Sequence, residues 1–401
     1  MRKVLHINVT ANWGSTGKIA DQIGLLAQVY GWESYLAYGR MMNPSTNKLI
    51  KIGSMLDVYE HYIEHRLFDN EGRASRIATK NLIKTINLIK PDVIHLHNIH
   101  DHYLNFEILF QYICDNNIPV VWTQHDIWAI TGHCSLNNQG CEKWKIQCKK
   151  CPAIPRFCLD RSTVSFNSKK KSFSSIPRMV IAPVSDWLGK QMEYSFLNKY
   201  PIHVIKNGID TDIFKPSRGE NLSKYGLKNI QYVIAVASVW TKSKGLNDFI
   251  TIRKMLSDNI QIVLVGVSEK LIQKLPNGII GIPRTQSQLE LAELYSGAEL
   301  LVSLSHFETF GLTIVEALSC GTPVIVYDNT AQPELVSSDT GRVVPDGDTE
   351  KVVKTISELI ITDFKRKHTI NCRNRVLKYY DKNNTYQSYI QLYSNLCNDT
   401  Y

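Results

Sequence analysis

Two carboxylates stand eight positions apart in the stretch Ser305-His306-Phe307-Glu308-Thr309-Phe310-Gly311-Leu312-Thr313-Ile314-Val315-Glu316-Ala317-Leu318-Ser319-Cys320-Gly321. The apolar run 300–304 before it reads as a buried parallel strand, and Leu312, Val315 and Leu318 recur at helical spacing behind it. A strand–loop–helix turn points backbone N–H groups beyond the strand's carboxyl end, and with the positive end of the helix dipole they make an anion site. Glu308 falls in the loop and Glu316 about one turn inside the helix, so each can reach hydroxyls on opposite sides of one bound anion. A sugar–diphosphate–nucleoside has that layout. The competing reading is a pair of solvated charges at a helix start, where acidic residues are favoured anyway.

Other residues with chemistry to offer also fall at strand ends. Lys244-Gly245 follows the apolar run 232–238, where a lysine is a natural phosphate contact. His125 directly follows Val121-Trp122-Thr123-Gln124, the position at which ligand-facing residues sit in open α/β sheets. Near Pro91–His100, alternation puts His95 and His97 on one face of a strand, open to a metal or a ligand. Gly14 and Gly17 punctuate the first strand-to-helix turn with a spacing that fits neither a Walker loop nor a dinucleotide fingerprint.

The Glu308–Glu316 segment resembles the E-x7-E donor motif of retaining family 4 glycosyltransferases, and the surroundings agree over nearly the whole chain. The resemblance implies an α/β chain of GT-B type: two Rossmann-like, doubly wound parallel-sheet domains facing a central cleft. It puts Glu308 on the sugar hydroxyls, Glu316 on the ribose, and Lys244 with the backbone of Phe310, Gly311, Leu312 and Thr313 on the diphosphate. His125 would contact the transferred sugar, the Gly14–Gly17 loop would lie over the diphosphate, and His97, Asn98 and His100 are acceptor-side candidates. Similar enzymes carry an arginine ahead of the Lys-Gly pair; here Ser238, Val239 and Trp240 occupy its places, leaving Lys242 as candidate for the second charge. The implied reaction needs no metal cofactor. It takes a nucleotide-sugar donor and a glycan or lipid-linked acceptor, as in bacterial capsular, exopolysaccharide or O-antigen biosynthesis.

The elements that must hold these residues alternate strand and helix twice over. The first series is 4–8, 34–37, 93–96, 120–123, 180–183 and 203–205; the second is 232–238, 262–266, 278–282, 300–304, 324–326 and 341–344. They predict an N-terminal acceptor-side domain over 1–199 and a donor domain over 200–378. A helix over 379–401, with Tyr386, Tyr389, Leu392 and Tyr393 at helical spacing, is expected to pack back on the first domain. The region 56–89 reads as helical with a basic series, Arg66, Arg73, Arg76, Lys80 and Lys84, suited to solvent or to an anionic membrane surface.

An insertion over 131–160 carries Cys134, Cys141, Cys148 and Cys151, spaced C-x6-C-x6-C-x2-C, with Cys158 beyond. Four thiolates would close a tetrahedral structural zinc site, and the last pair has zinc-knuckle spacing; disulfides and a redox pair rank lower. Ten Lys or Arg against two acids lie between Cys141 and Arg178, and Lys169-Lys170-Lys171 beside Phe173 suits an interfacial contact. That cluster best supports the rival class, a non-catalytic zinc and nucleic-acid binder; nucleic acid is nonetheless an unlikely partner, since no recognisable nucleic-acid motif accompanies it. A sugar-nucleotide epimerase or phosphorylase on the same fold is the other rival. The 401 residues, 43% hydrophobic and 21% charged, describe a globular chain with a net charge of +9 that tolerates anionic partners. No run approaches a membrane span, and residues 1–9 read as a strand, giving the expectation of a cytoplasmic protein, peripheral at the inner face of the membrane.

Overall fold

A computed structural model describes residues 1–136, 140–154 and 159–398. It divides into two compact units, residues 1–206 with those from 385 onward, and residues 207–384.

The first unit is built on an all-parallel sheet in the order β3-β2-β1-β4-β5-β6. Its strands are β1 Lys3–Asn8, β2 Glu33–Tyr38, β3 Lys48–Lys51, β4 Val93–Leu96, β5 Val120–Gln124 and β6 Met179–Pro183. The connecting helices are α1 Gly14–Val29, α2 Met55–Phe68, α3 Arg76–Ile89, α4 Phe106–Asp115, α5 Ser162–Phe173 and α6 Asp186–Glu193. The second unit has strands β7 Tyr232–Val236, β8 Gln261–Val265, β9 Ile279–Ile282, β10 Leu300–Ser303, β11 Val324–Tyr327 and β12 Gly341–Val344. Helices α7 Leu246–Arg253, α8 Glu269–Ile272, α9 Gln288–Gly297, α10 Leu312–Ser319, α11 Thr349–Ile361 and α12 Phe364–Tyr379 accompany them, and α13 Lys382–Cys397 ends the chain.

The second sheet runs β12-β11-β10-β7-β8-β9, which is the winding of the first read from the other edge. In each, the chain starts mid-sheet, walks to one edge, returns to the centre and walks to the other. The winding reverses between β1 and β4 and between β7 and β10, and ligands of such sheets bind beyond the strand ends at that point. Runs such as Val120-Val121-Trp122 and Val324-Ile325-Val326 are apolar on successive positions because helices cover both faces.

Four expectations change. Residues 203–205 do run beside β6, with His203 and Ile205 donating to Ile181 and Pro183, but pairing stops at the single bridge Ile181–Ile202 and no strand forms. That run keeps the chain in the first unit to Lys206. The edge strand β3 escaped the sequence pattern because its Lys-Leu-Ile-Lys has only two apolar residues between two cations. Arg73 is buried and bonded to the Asp69 carbonyl, so it does not belong to the exposed basic series. Nor do Lys169 and Phe173 face outward. Phe173 is fully buried among Phe106, Phe110, Trp122 and Trp128, where its truncation would cost about 3–5 kcal/mol. Lys169 lies over the Trp128 ring and donates to the Trp128 and Thr131 carbonyls at 2.8 and 3.0 Å.

Within the first unit α13 buries Tyr386, Tyr389, Leu392 and Tyr393. The Tyr393 hydroxyl meets His95 Nδ1 at 2.6 Å, and Tyr389 meets Thr123.

Candidate functional site

In the second unit the β10-to-α10 turn brings the predicted residues to the switch point. Glu308 lies in the loop, and its Oε1 is 2.5 Å from Lys244 Nζ, which arrives from the β7-to-α7 turn. Gly245 makes this meeting possible. Its φ is +76°, and a Cβ there would stand 2.4 Å from the Leu304 carbonyl oxygen, so only glycine lets the Lys244 turn close on the end of β10. Lys244 and Glu308 are both part-exposed, leaving the pair accessible to a competing anion. Lys242, in the same turn, points to solvent.

The loop carrying Glu308 is latched from the β11 side. The Glu308 N–H donates to Thr330 Oγ1 at 2.9 Å, and its carbonyl accepts from Ala331. Fully buried Gln332 donates to the Ser305 carbonyl at 2.8 Å and to Asn329 at 2.9 Å. Phe310 is buried, Gly311 takes φ +104° as N-cap, and Leu312 and Thr313 open α10 half-exposed. The first N–H groups of a helix have no intrahelical acceptor, so this turn presents donors beside Lys244. Glu316, one turn in, accepts from the Tyr295 hydroxyl at 2.9 Å. Trp240, at the place where an arginine was expected, is built into the loop: its indole N–H donates to the Val265 carbonyl and its ring packs on Phe249.

In the first unit the strand ends hold a buried line of histidines. His6 Nδ1 is 3.2 Å from His97 Nε2, and His97 Nδ1 is 3.3 Å from His125 Nε2. The His95 and His97 rings lie tilted at 33° with centroids 4.1 Å apart, and His95 is fixed by Tyr393 and by Thr123 at 2.7 Å. Burial pushes His6 down to about 3 and His125 to about 4, and lowers His95 and His97 well below the usual value. His125 is therefore a neutral imidazole whose Nε2 is engaged by His97, leaving Nδ1 to donate or accept according to the tautomer. His100 behaves oppositely. Burial works against its charge, but the Asp126 carboxylate at 2.9 Å and Asp101 hold it well above the usual range. Asn98 donates its N–H to Asn8 and Tyr103 donates to its carbonyl. At the first turn Gly14 is exposed with φ +66° and open space at Cα, whereas Gly17 is buried against Thr10, so Gly17 serves helix packing.

Tyr295, His6 and Asp126 were not singled out from sequence. Tyr295 reaches the site from α9 and Gln332 from the turn after β11, a distance no spacing encodes. The alignment of His6 with His95 follows only once β1 and β4 are known to pair in that register. Cys134, Cys141, Cys148 and Cys151 lie in the insertion of the first unit; Cys158 lies outside the described residues.

The family model described as glycosyl transferases group 1 matches residues 217–375, and that described as Glycosyltransferase Family 4 matches residues 43–213. The chain is 23% identical to the putative colanic acid biosynthesis glycosyl transferase WcaC of Escherichia coli, covering 98% of this chain and 100% of that one. An MMP alpha-(1->4)-mannosyltransferase of Mycolicibacterium hassiacum is 31% identical over 40% of this chain and 39% of its own length. Among solved structures, sucrose-phosphate synthase of Thermosynechococcus elongatus superposes with a TM-score of 0.76 at 17% identity over 99% of both chains. HepE of Anabaena in complex with UDP-glucose gives 0.68 at 14% identity, covering 98% of this chain and 100% of that one.

Proposed function

The chain belongs to the glycosyltransferases of GT-B type, with a family 4 first half and a group 1 second half, and from that premise we propose that it transfers a sugar from a nucleotide donor to a glycan or lipid-linked acceptor with retention at the anomeric carbon. The observation that carries the proposal is the Lys244–Glu308 pair at the mouth of α10, with Glu316 one turn behind. A donor diphosphate entering this turn takes Lys244 and the helix N–H groups, and in doing so releases Glu308 to the sugar hydroxyls. Glu316, oriented by Tyr295, takes the ribose hydroxyls.

In the reaction the acceptor hydroxyl oxygen bonds to the anomeric carbon, and the carbon–oxygen bond to the diphosphate breaks with its electron pair going to the diphosphate. The acceptor proton leaves to that departing oxygen or to solvent. Lys244 and the N-terminus of α10 stabilise the charge that develops on the leaving group, a role for which a fixed donor is worth about 10²–10³ in rate. This arrangement supports transfer that needs no divalent metal. His125 serves the transferred sugar as a neutral hydrogen-bonding partner. The first unit receives the acceptor, with Asn98 and His100 on its side and Gly14 in its first turn, while buried His97, both ring nitrogens engaged by His6 and His125, supports the wall behind them. The likeness to WcaC supports a place in bacterial cell-surface polysaccharide assembly.

The test is turnover of nucleotide sugars with polyprenyl-linked and soluble glycan acceptors, following nucleoside diphosphate release and product anomeric configuration by NMR. A product with the donor's configuration, formed at the same rate with and without added Mg²⁺, supports the reading. An inverted product removes retention, and no turnover or hydrolysis of any nucleotide sugar removes the activity.

A further inference from the structure

The cysteine insertion plays no part in the donor site, and its fold poses its own question. Cys134, Cys141, Cys148 and Cys151, far apart in the loop, all line one cavity of about 20 Å³, together with Thr131, His133 and Trp144. That is room for about one water-sized occupant. All four carry free thiols. The Gly132 N–H donates to Cys148 Sγ at 3.2 Å, the kind of bond that orients a sulfur ligand.

We propose that these four cysteines bind one zinc ion as a closed, tetrahedral, structural site. Sulfur-only donor sets select zinc among common divalent cations, and four ligands leave no open position for catalysis. The stretch 140–154 has no regular element beyond the short turn Lys143–Lys145, and Trp144 is its one fully buried large side chain. A loop that cannot bury a core needs a cross-link to hold a shape, and a metal supplies one. The charge pattern agrees. Four thiolates around Zn²⁺ carry a net charge of −2, and Lys143 and Lys149 line the same cavity. Lys143 Nζ also donates to the Lys149 and Lys150 carbonyls at 3.2 and 2.9 Å, tying the turn around the Cys148–Cys151 knuckle. The basic flank thus has an intramolecular partner and calls for no nucleic acid.

The site has something to position. The Ser135 carbonyl accepts from the Ile127 N–H at 3.2 Å, and Thr131 Oγ1 bonds the Cys134 carbonyl. The zinc knot therefore fixes the backbone directly after His125 and Asp126. It acts on the first unit and stands or falls independently of the donor reading.

Elemental analysis of the full chain, purified without chelators, tests it. About one zinc per chain is expected, released stoichiometrically by a mercurial thiol reagent. The Cys114→Ser and Cys397→Ser controls should retain it, while Cys148→Ser and Cys151→Ser should fall to about a tenth or less, as expected when one of four ligands is lost. Should those variants fail to fold, the wild type still decides. Peptide mapping after alkylation should find the four thiols protected before metal removal and labelled after it, and Co²⁺ replacement should give intense visible bands of a tetrahedral thiolate site. Metal-free protein whose four thiols alkylate as fast as Cys114, or an intact mass showing disulfides among them, overturns the proposal.

Discussion

Lys244 and Glu308 neutralise each other until a diphosphate arrives, so their substitutions should separate binding from chemistry. Lys244→Ala is expected to lower kcat/KM about 10²–10³-fold with little change in thermal midpoint, because the pair is part-exposed and contributes little to stability. Tyr295→Phe removes only the hydroxyl that orients Glu316. It should raise the donor KM by about tenfold, the effect of one charge-assisted hydrogen bond, and leave kcat nearly unchanged. Measured together, the two variants distinguish an anion contact from a positioning contact; equal effects on kcat would contradict the assignment. The histidine line makes a pH prediction. His6 at about 3 and His125 at about 4 lie below the 6.5 of an unfolded histidine, so the unfolded chain takes up protons first as pH falls. The stability they contribute is complete above about pH 6.5 and is lost toward pH 4, at about 1.4 kcal/mol per pH unit for each neutral histidine. His100, raised by Asp126, works the other way and loses its contribution only as pH rises through its elevated value. The thermal midpoint should fall between pH 6.5 and 5, less steeply in His6→Asn; a flat profile would mean the line already carries charge. None of this pairing was readable from sequence, which shows where His97 and His125 end their strands but not that β1 sets His6 against His97 on the side away from His125.

The turns after β7 and β10 were legible as elements because glycine, lysine and glutamate fall where apolar runs stop. Their mutual contact was not. It depends on β7 and β10 lying side by side, and on Gly245 passing within what would be 2.4 Å of the Leu304 carbonyl. Gly245→Ala should therefore do more than its own strain of about 1–3 kcal/mol. By lifting the turn off β10 it should weaken donor binding along with stability, whereas Gly14→Ala, with open space around it, should cost only the strain of its positive φ. Chemical denaturation and donor titration on both variants check this; equal donor affinity in Gly245→Ala would detach the turn from the site. The same logic explains β3 and residues 203–205. Edge segments are held by one neighbour and by backbone bonds, so side-chain pattern carries little signal there.

Across the whole chain, two sheets with one winding were foreseeable from two successive series of strands, and one family model matches residues 43–213 and the other residues 217–375. What the pattern could not show is which basic residues are surface: Arg73 and Lys169 are internal, while Arg66, Arg76, Lys80 and Lys84 are exposed. Along α2 the apolar Leu56, Tyr59, Ile63 and Leu67 share one face and are 80%, 61%, 54% and 60% exposed. Among the described residues no helix is long and apolar enough to cross a membrane, but the exposed apolar face of α2, with exposed Arg66 on α2 and Arg76, Lys80 and Lys84 on α3, suits an anionic bilayer surface. The chain should float with phosphatidylglycerol vesicles and not with phosphatidylcholine alone, and Leu56→Glu with Ile63→Glu should abolish flotation; equal binding to both lipids would remove the electrostatic part. The central claim, that the second unit holds a nucleotide-sugar diphosphate on Lys244, Glu308 and the start of α10, is tested most directly by calorimetric titration of the full chain with UDP-, GDP-, dTDP- and CMP-sugars. The account predicts binding of one nucleotide family, weakened at least about tenfold by Lys244→Ala and again by Glu316→Ala, each near 1.4 kcal/mol or more. Binding that both variants leave unchanged, or no binding by any of the four families, would contradict it.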